Sequence, residues 1–69
     1  MVDTQLLEEW IEKSGKRKSY LAEKVGCSIQ SLRLKVTNKY DFRSSEVDTL
    51  CTELGITRLT DKEKIFFKK

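Results

Sequence analysis

Apolar residues recur along this chain at the three- and four-residue spacing of helices, in short blocks separated by glycine or small polar residues. Leu6, Leu7, Trp10 and Ile11 make one apolar face and predict a first helix from Thr4 to Ser14. Asp3 or Thr4 is placed to cap it and Gly15 to end it. Leu21, Ala22 and Val25 predict a second helix from Lys18 or Ser19 to Val25, stopped by Gly26. Ser28 is a natural N-cap for a third helix, Ile29 to Thr37, with Ile29, Leu32 and Val36 on its inner stripe and Asn38 at its end. The link between the second and third helices is so short that they must meet steeply, as in a helix-turn-helix unit.

Ser44 and Ser45 offer N-caps for a fourth helix, where Val47, Leu50, Cys51 and Leu54 follow the i, i+3, i+4, i+7 pattern. Gly55 and Ile56 fit a Schellman ending, and Phe42 is expected to tuck against the core. Beyond them, Thr60 and Glu63 have capping-box spacing, while Ile65-Phe66-Phe67 suits a short helix or a strand. The expectation is an all-α, compact four- to five-helix domain spanning 1–69, with a core over 4–56 and a C-terminal tail over 57–69.

Composition narrows what such a domain can do. At 69 residues the chain makes one domain with a thin core, burying about 60% of its unfolded surface. It has no Pro, three Gly and 36% charged residues, which suits short helices and tight turns. No apolar run approaches the ~20 residues of a membrane span. Its N-terminal residues lack the pattern of a secretory signal, so no membrane partner and a cytoplasmic location are expected. Cys27 and Cys51 are then expected as thiols, with Cys51 a packing residue. With no His, no Gly-rich phosphate loop and no evident nucleophile–base pair, neither an enzyme nor a metal or other cofactor is expected.

Charge is distributed unevenly. Residues 1–15 carry four acidic groups against one basic. Residues 16–43 carry eight basic against two acidic, and residues 44–69 are balanced. The middle third is an anion-facing candidate or a solvated face. On the third helix, at about 100° per residue, Leu34 falls about 200° from Leu32, so the outer face is Gln30, Arg33, Leu34 and Thr37.

The segment S-Y-L-A-E-K-V-G-C-S-I-Q-S-L-R-L-K-V-T-N-K, residues 19–39, resembles the helix-turn-helix core of Cro/CI-type, lambda-repressor-like regulators. The resemblance rests on Leu21-Ala22, Gly26, the small residue Cys27, Ser28, Leu32 and Val36, and extends more loosely over residues 4–56. The F-R-S-S-E-V run and the I-F-F tail look like those of small phage Cro-like or repression-modulator proteins.

The resemblance implies a third helix lying in the DNA major groove. Gln30, Arg33 and Leu34 then face base edges, where a carboxamide can bond adenine and a guanidinium guanine. Ser28, Thr37, Asn38, Lys39 and Arg43 are implied as phosphate contacts on one side, and Lys16, Arg17 and Lys18 on the other. Each has a plainer reading: Ser28 is a helix cap in any case, Ile29 is a core-edge packing residue, and exposed basic runs are common. Two positions depart from the family pattern. Lys35 stands where an apolar inward residue is usual and is expected to snorkel along the core edge. Leu34 stands where a polar reader is usual.

The expected function is a sequence-specific DNA-binding transcriptional regulator acting on double-stranded DNA. A homodimer is expected, because one unit covers only a half-site. Ile65, Phe66 and Phe67 are its candidate interface unless they fold back on the core. The alternative is an antirepressor or modulator that binds a second repressor protein, with exposed Leu34 as the anchor.

Overall fold

The computed structural model describes residues 1–68, and these form five helices in the order α1 Thr4–Ser14, α2 Lys18–Val25, α3 Ile29–Val36, α4 Ser44–Leu54 and α5 Leu59–Phe66. Asp3 begins α1 by accepting the Leu6 amide on its side chain at 3.2 Å. In α3 the same role falls to Ser28, whose hydroxyl oxygen accepts the Ser31 amide at 3.1 Å. Each satisfies one of the four amides a helix start leaves without a partner.

The core is shared by all the helices. Leu7, Leu21, Leu32, Leu50 and Ile65 are the largest fully buried side chains, one from each helix in turn. Burying one such side chain stabilises the fold by about 1.5–3 kcal/mol, so in a domain this small each helix depends on the shared core. Helix α2 packs on α3 and α4, and α1 packs on α4 and α5.

The link between α2 and α3 is Gly26, Cys27 and Ser28. Gly26 adopts φ 91°, and the amides of Gly26 and Cys27 both reach the Ala22 carbonyl, at 2.9 and 3.0 Å. That left-handed residue reverses the chain fast enough for Ser28 to cap the next helix at once.

Three details differ from the sequence-based expectation. Helix α3 ends at Val36, with Thr37 as its cap. The N-cap of α4 is Arg43, so Ser44 and Ser45 lie inside the helix, and the side chain that closes its first turn is Glu46, which accepts the Arg43 amide at 2.8 Å. Thr60 likewise lies inside α5, after the N-cap Arg58.

The tail is helical, and Ile65 and Phe66 are 0% and 4% exposed within the protein's own core, so of the two alternatives for these residues the fold-back is the one observed. Phe66 meets the half-buried Phe42 edge to face, with ring centroids 5.6 Å apart. Of the three candidates only Phe67 is exposed. The N-terminal residues complete this closure: the Asp3 amide donates to the Ile65 carbonyl at 2.7 Å and the Lys68 amide to the Met1 carbonyl at 2.9 Å.

Candidate nucleic-acid interface

The face of α3 opposite Leu32 and Val36 is uncovered. Those two residues are 0% and 2% exposed and fix the helix to the core, while Gln30 and Arg33 are exposed and Leu34 is 36% exposed. Neither the Gln30 carboxamide nor the Arg33 guanidinium forms a hydrogen bond to any other described residue. Ile29 is half-buried at the core edge.

Around this ridge the basic residues divide. Arg17, Lys39 and Arg43 are exposed and take part in no ion pair among the described residues. Lys18 lies beside the ridge: with Thr4, Glu8, Arg33, Val36 and Thr37 it lines one shallow groove between α1, α2 and α3. Its ammonium is 2.9 Å from Glu8 Oε2. Glu8 Oε1 is buried and has no hydrogen-bond partner.

Lys16 does not join this group. Its ammonium donates to the Glu53 carbonyl at 2.6 Å and to Glu53 Oε1 at 3.2 Å, at the end of α4, and lies 5.7 Å from the centre of the Tyr20 ring. The hydrogen bond from Lys16 holds the Glu53 carboxyl below its ordinary range. Lys24 approaches the same ring at 5.4 Å, so a basic and aromatic cluster that the sequence pattern did not single out forms on the far side of α2.

Three implied phosphate ligands have other partners. The Ser28 hydroxyl donates to Ser31 Oγ at 3.0 Å. The Thr37 hydroxyl donates back to the Arg33 carbonyl at 2.9 Å, as threonine commonly does within a helix. Asn38 is engaged on both sides of its amide. Its Oδ1 accepts the Val2 amide at 2.8 Å and its Nδ2 donates to the Val2 carbonyl at 2.9 Å. Asn38 is therefore a clamp on the N-terminal residues: its Oδ1 and one of its two Nδ2 hydrogens are engaged with the Val2 backbone.

Lys35 does not snorkel to water. Its ammonium donates to Glu46 Oε2, and the two side chains are 14% and 10% exposed. Burial pushes the Glu46 carboxyl up, but the Arg43 amide and the Lys35 ammonium together hold it below the ordinary value of 4.5. Burial pushes the Cys51 thiol up, which suits a packing residue better than a nucleophile.

Among the described residues no three His, Cys, Asp or Glu side chains are grouped to hold a metal ion, and no helix is long and apolar enough to cross a membrane. Gln30, Arg33 and Leu34 make up the candidate interface, with Lys18, which shares a groove with Arg33, and the exposed Arg17, Lys39 and Arg43 as its basic candidates. Comparison of the chain with family models, with curated proteins and with solved structures gives no match.

Proposed function

We propose that this chain is a sequence-specific DNA-binding regulator of the Cro/CI, lambda-repressor-like type, acting in the cytoplasm without enzymatic activity or a cofactor. The observation that carries the reading is the free outer ridge of α3. Gln30 and Arg33 project from a short helix anchored on its other side by the buried Leu32 and Val36, directly after a capped three-residue turn. An α-helix presented in this way fits the major groove, where a carboxamide and a guanidinium each match base edges in two-pronged fashion. Lys39, Arg43 and Arg17 supply phosphate neutralisation, and Lys18 adds to it if it leaves Glu8.

The longest principal extent of the fold is 27 Å. One helical turn of DNA is about 34 Å, so a single copy covers one half-site and a pair of copies is needed for a full operator. Binding-site selection on random duplexes tests the reading directly. A recovered consensus, with affinity falling steeply between low and moderate salt, is the expected result. No enrichment, or an affinity indifferent to salt, overturns it.

Leu34 favours a second reading. A 36% exposed leucine on the ridge offers a thymine methyl apolar contact but no hydrogen bond, and it equally suits a protein groove. On this reading the chain is a modulator that engages another repressor through α3. Selection in which enrichment requires an added repressor identifies that case.

A further inference from the structure

Helix α3 has only two turns and is bound to the core by two fully buried side chains, Leu32 and Val36. Helices this short are marginal by themselves, so the position of the ridge depends on what holds its ends. At its last turn a Schellman ending is complete: the Lys39 amide donates to the Leu34 carbonyl at 2.8 Å and the Asn38 amide to the Lys35 carbonyl at 3.2 Å. Asn38 provides the left-handed residue this requires, at φ 65°, and is the one described residue other than glycine with a positive φ.

The other left-handed helix ends, at 15, 26 and 55, all use glycine. Glycine makes this turn with less strain than asparagine. The end of α3 differs in having its left-handed residue bonded to another part of the chain. The Asn38 carboxamide pairs in both directions with the backbone of Val2, which is 7% exposed. Two residues on, at the first residue of α1, the Thr4 hydroxyl donates to the Val36 carbonyl at 2.6 Å. Residues 1–3 are in turn bonded to the end of α5 through the Ile65 carbonyl and the Lys68 amide.

We infer that Asn38 is a positioning residue for the α3 ridge, acting through the backbone of Val2 and fixing the offset between Arg33 and Lys39 rather than touching DNA itself. The inference rests on the DNA-binding reading above. Lys39 follows Asn38 directly, so its place relative to Arg33 is set by the turn that Val2 clamps. Loosening the clamp leaves the charge of the interface unchanged and blurs its geometry. Base discrimination, which needs fixed two-pronged contacts, should suffer; long-range attraction to phosphates should not.

The test uses Asn38→Gly, which keeps the left-handed turn and removes the clamp, and Thr4→Val, which removes the second tie. Amide exchange by NMR reads the clamp; affinity for a selected site and for random duplex reads its effect. In Asn38→Gly the Val2 amide should exchange at least about tenfold faster. The preference for the selected site should fall about tenfold, a partial loss of one two-pronged base contact. Affinity for random duplex and its salt dependence should not change, and Thr4→Val should shift the preference in the same direction.

An unchanged preference in Asn38→Gly overturns the inference, as does a Val2 amide already exchanging at the free-chain rate in the parent protein. A fall in random-duplex affinity matching the fall at the selected site also overturns it, by assigning Asn38 to direct contact. A parent protein with no preference at all overturns the DNA reading first, and the inference with it.

Discussion

Lys35 and Glu46 form a nearly buried ion pair that joins the last turn of α3 to the first turn of α4. The Glu46 carboxylate is used on both oxygens: Oε2 receives the Lys35 ammonium and Oε1 the Arg43 amide. One side chain therefore caps a helix and anchors its neighbour. Taking both charges out of water is costly, and full hydrogen bonding is what makes the arrangement tolerable.

Glu46→Gln should lower stability at neutral pH by about 1–2 kcal/mol, because Lys35 is left facing an uncharged amide in a nearly buried site. The folded carboxyl titrates below its unfolded value of 4.5. Its contribution is therefore fully present above that value and is lost as pH falls through the lower folded value. Urea denaturation from pH 7 down to pH about 3 should show parent and variant converging only below the ordinary carboxylate range. A constant difference across that window contradicts the pairing.

Arg33→Ala and Lys39→Ala should each weaken binding to random duplex and reduce the slope of log affinity against log salt by about 1. Both residues are exposed and outside any described ion pair, so stability should move by no more than about 0.5 kcal/mol. Salt titration with a labelled duplex measures the first effect and thermal unfolding the second. An unchanged salt slope in both variants removes them from the interface.

Glu8 pairs with Lys18 and lies in the same groove as Arg33, so on the DNA-binding reading it competes with phosphate for Lys18. Glu8→Gln should therefore raise affinity for random duplex at low salt and steepen the salt slope by up to about 1. Losing this partly exposed pair should cost at most about 1 kcal/mol of stability. A variant that binds duplex no better than the parent places Lys18 outside the contact.

Phe66→Ala and Phe67→Ala separate packing from association. The first empties a site that is 4% exposed and should destabilise by about 3–5 kcal/mol, comparable with the whole stability of a small domain. The second truncates a ring that is 57% exposed and should change stability by less than about 0.5 kcal/mol. Equal effects in urea denaturation contradict the folded-back tail.

The helices and most of their ends were legible because their causes are local. Leu6, Leu7, Trp10 and Ile11, or Val47, Leu50, Cys51 and Leu54, encode a face by spacing alone. Asp3, Ser28 and Gly26 act within three or four residues of their own position. The outward direction of Gln30, Arg33 and Leu34 follows from the same periodicity once Leu32 and Val36 are taken as inward. Helix ends read from serine alone went wrong at α4, because the Arg43 backbone found a better partner in Glu46.

Sequence by itself determined four helices, a turn that brings α2 and α3 together, and a ridge bearing Gln30 and Arg33, since all of these follow from periodicity and short-range capping; the three consecutive apolar residues of the tail left helix and strand open there. Tertiary structure alone decided which polar side chains remain available on that ridge. Lys16 is held by Glu53, 37 positions away, and Asn38 by Val2, 36 positions away. Lys35 is held by Glu46, and Ile65 and Phe66 by the core. No local pattern carries such pairings, because a lysine or an asparagine offers the same donors to solvent, to DNA and to a distant backbone. Which one receives them is settled only when packing brings the partners to hydrogen-bonding distance.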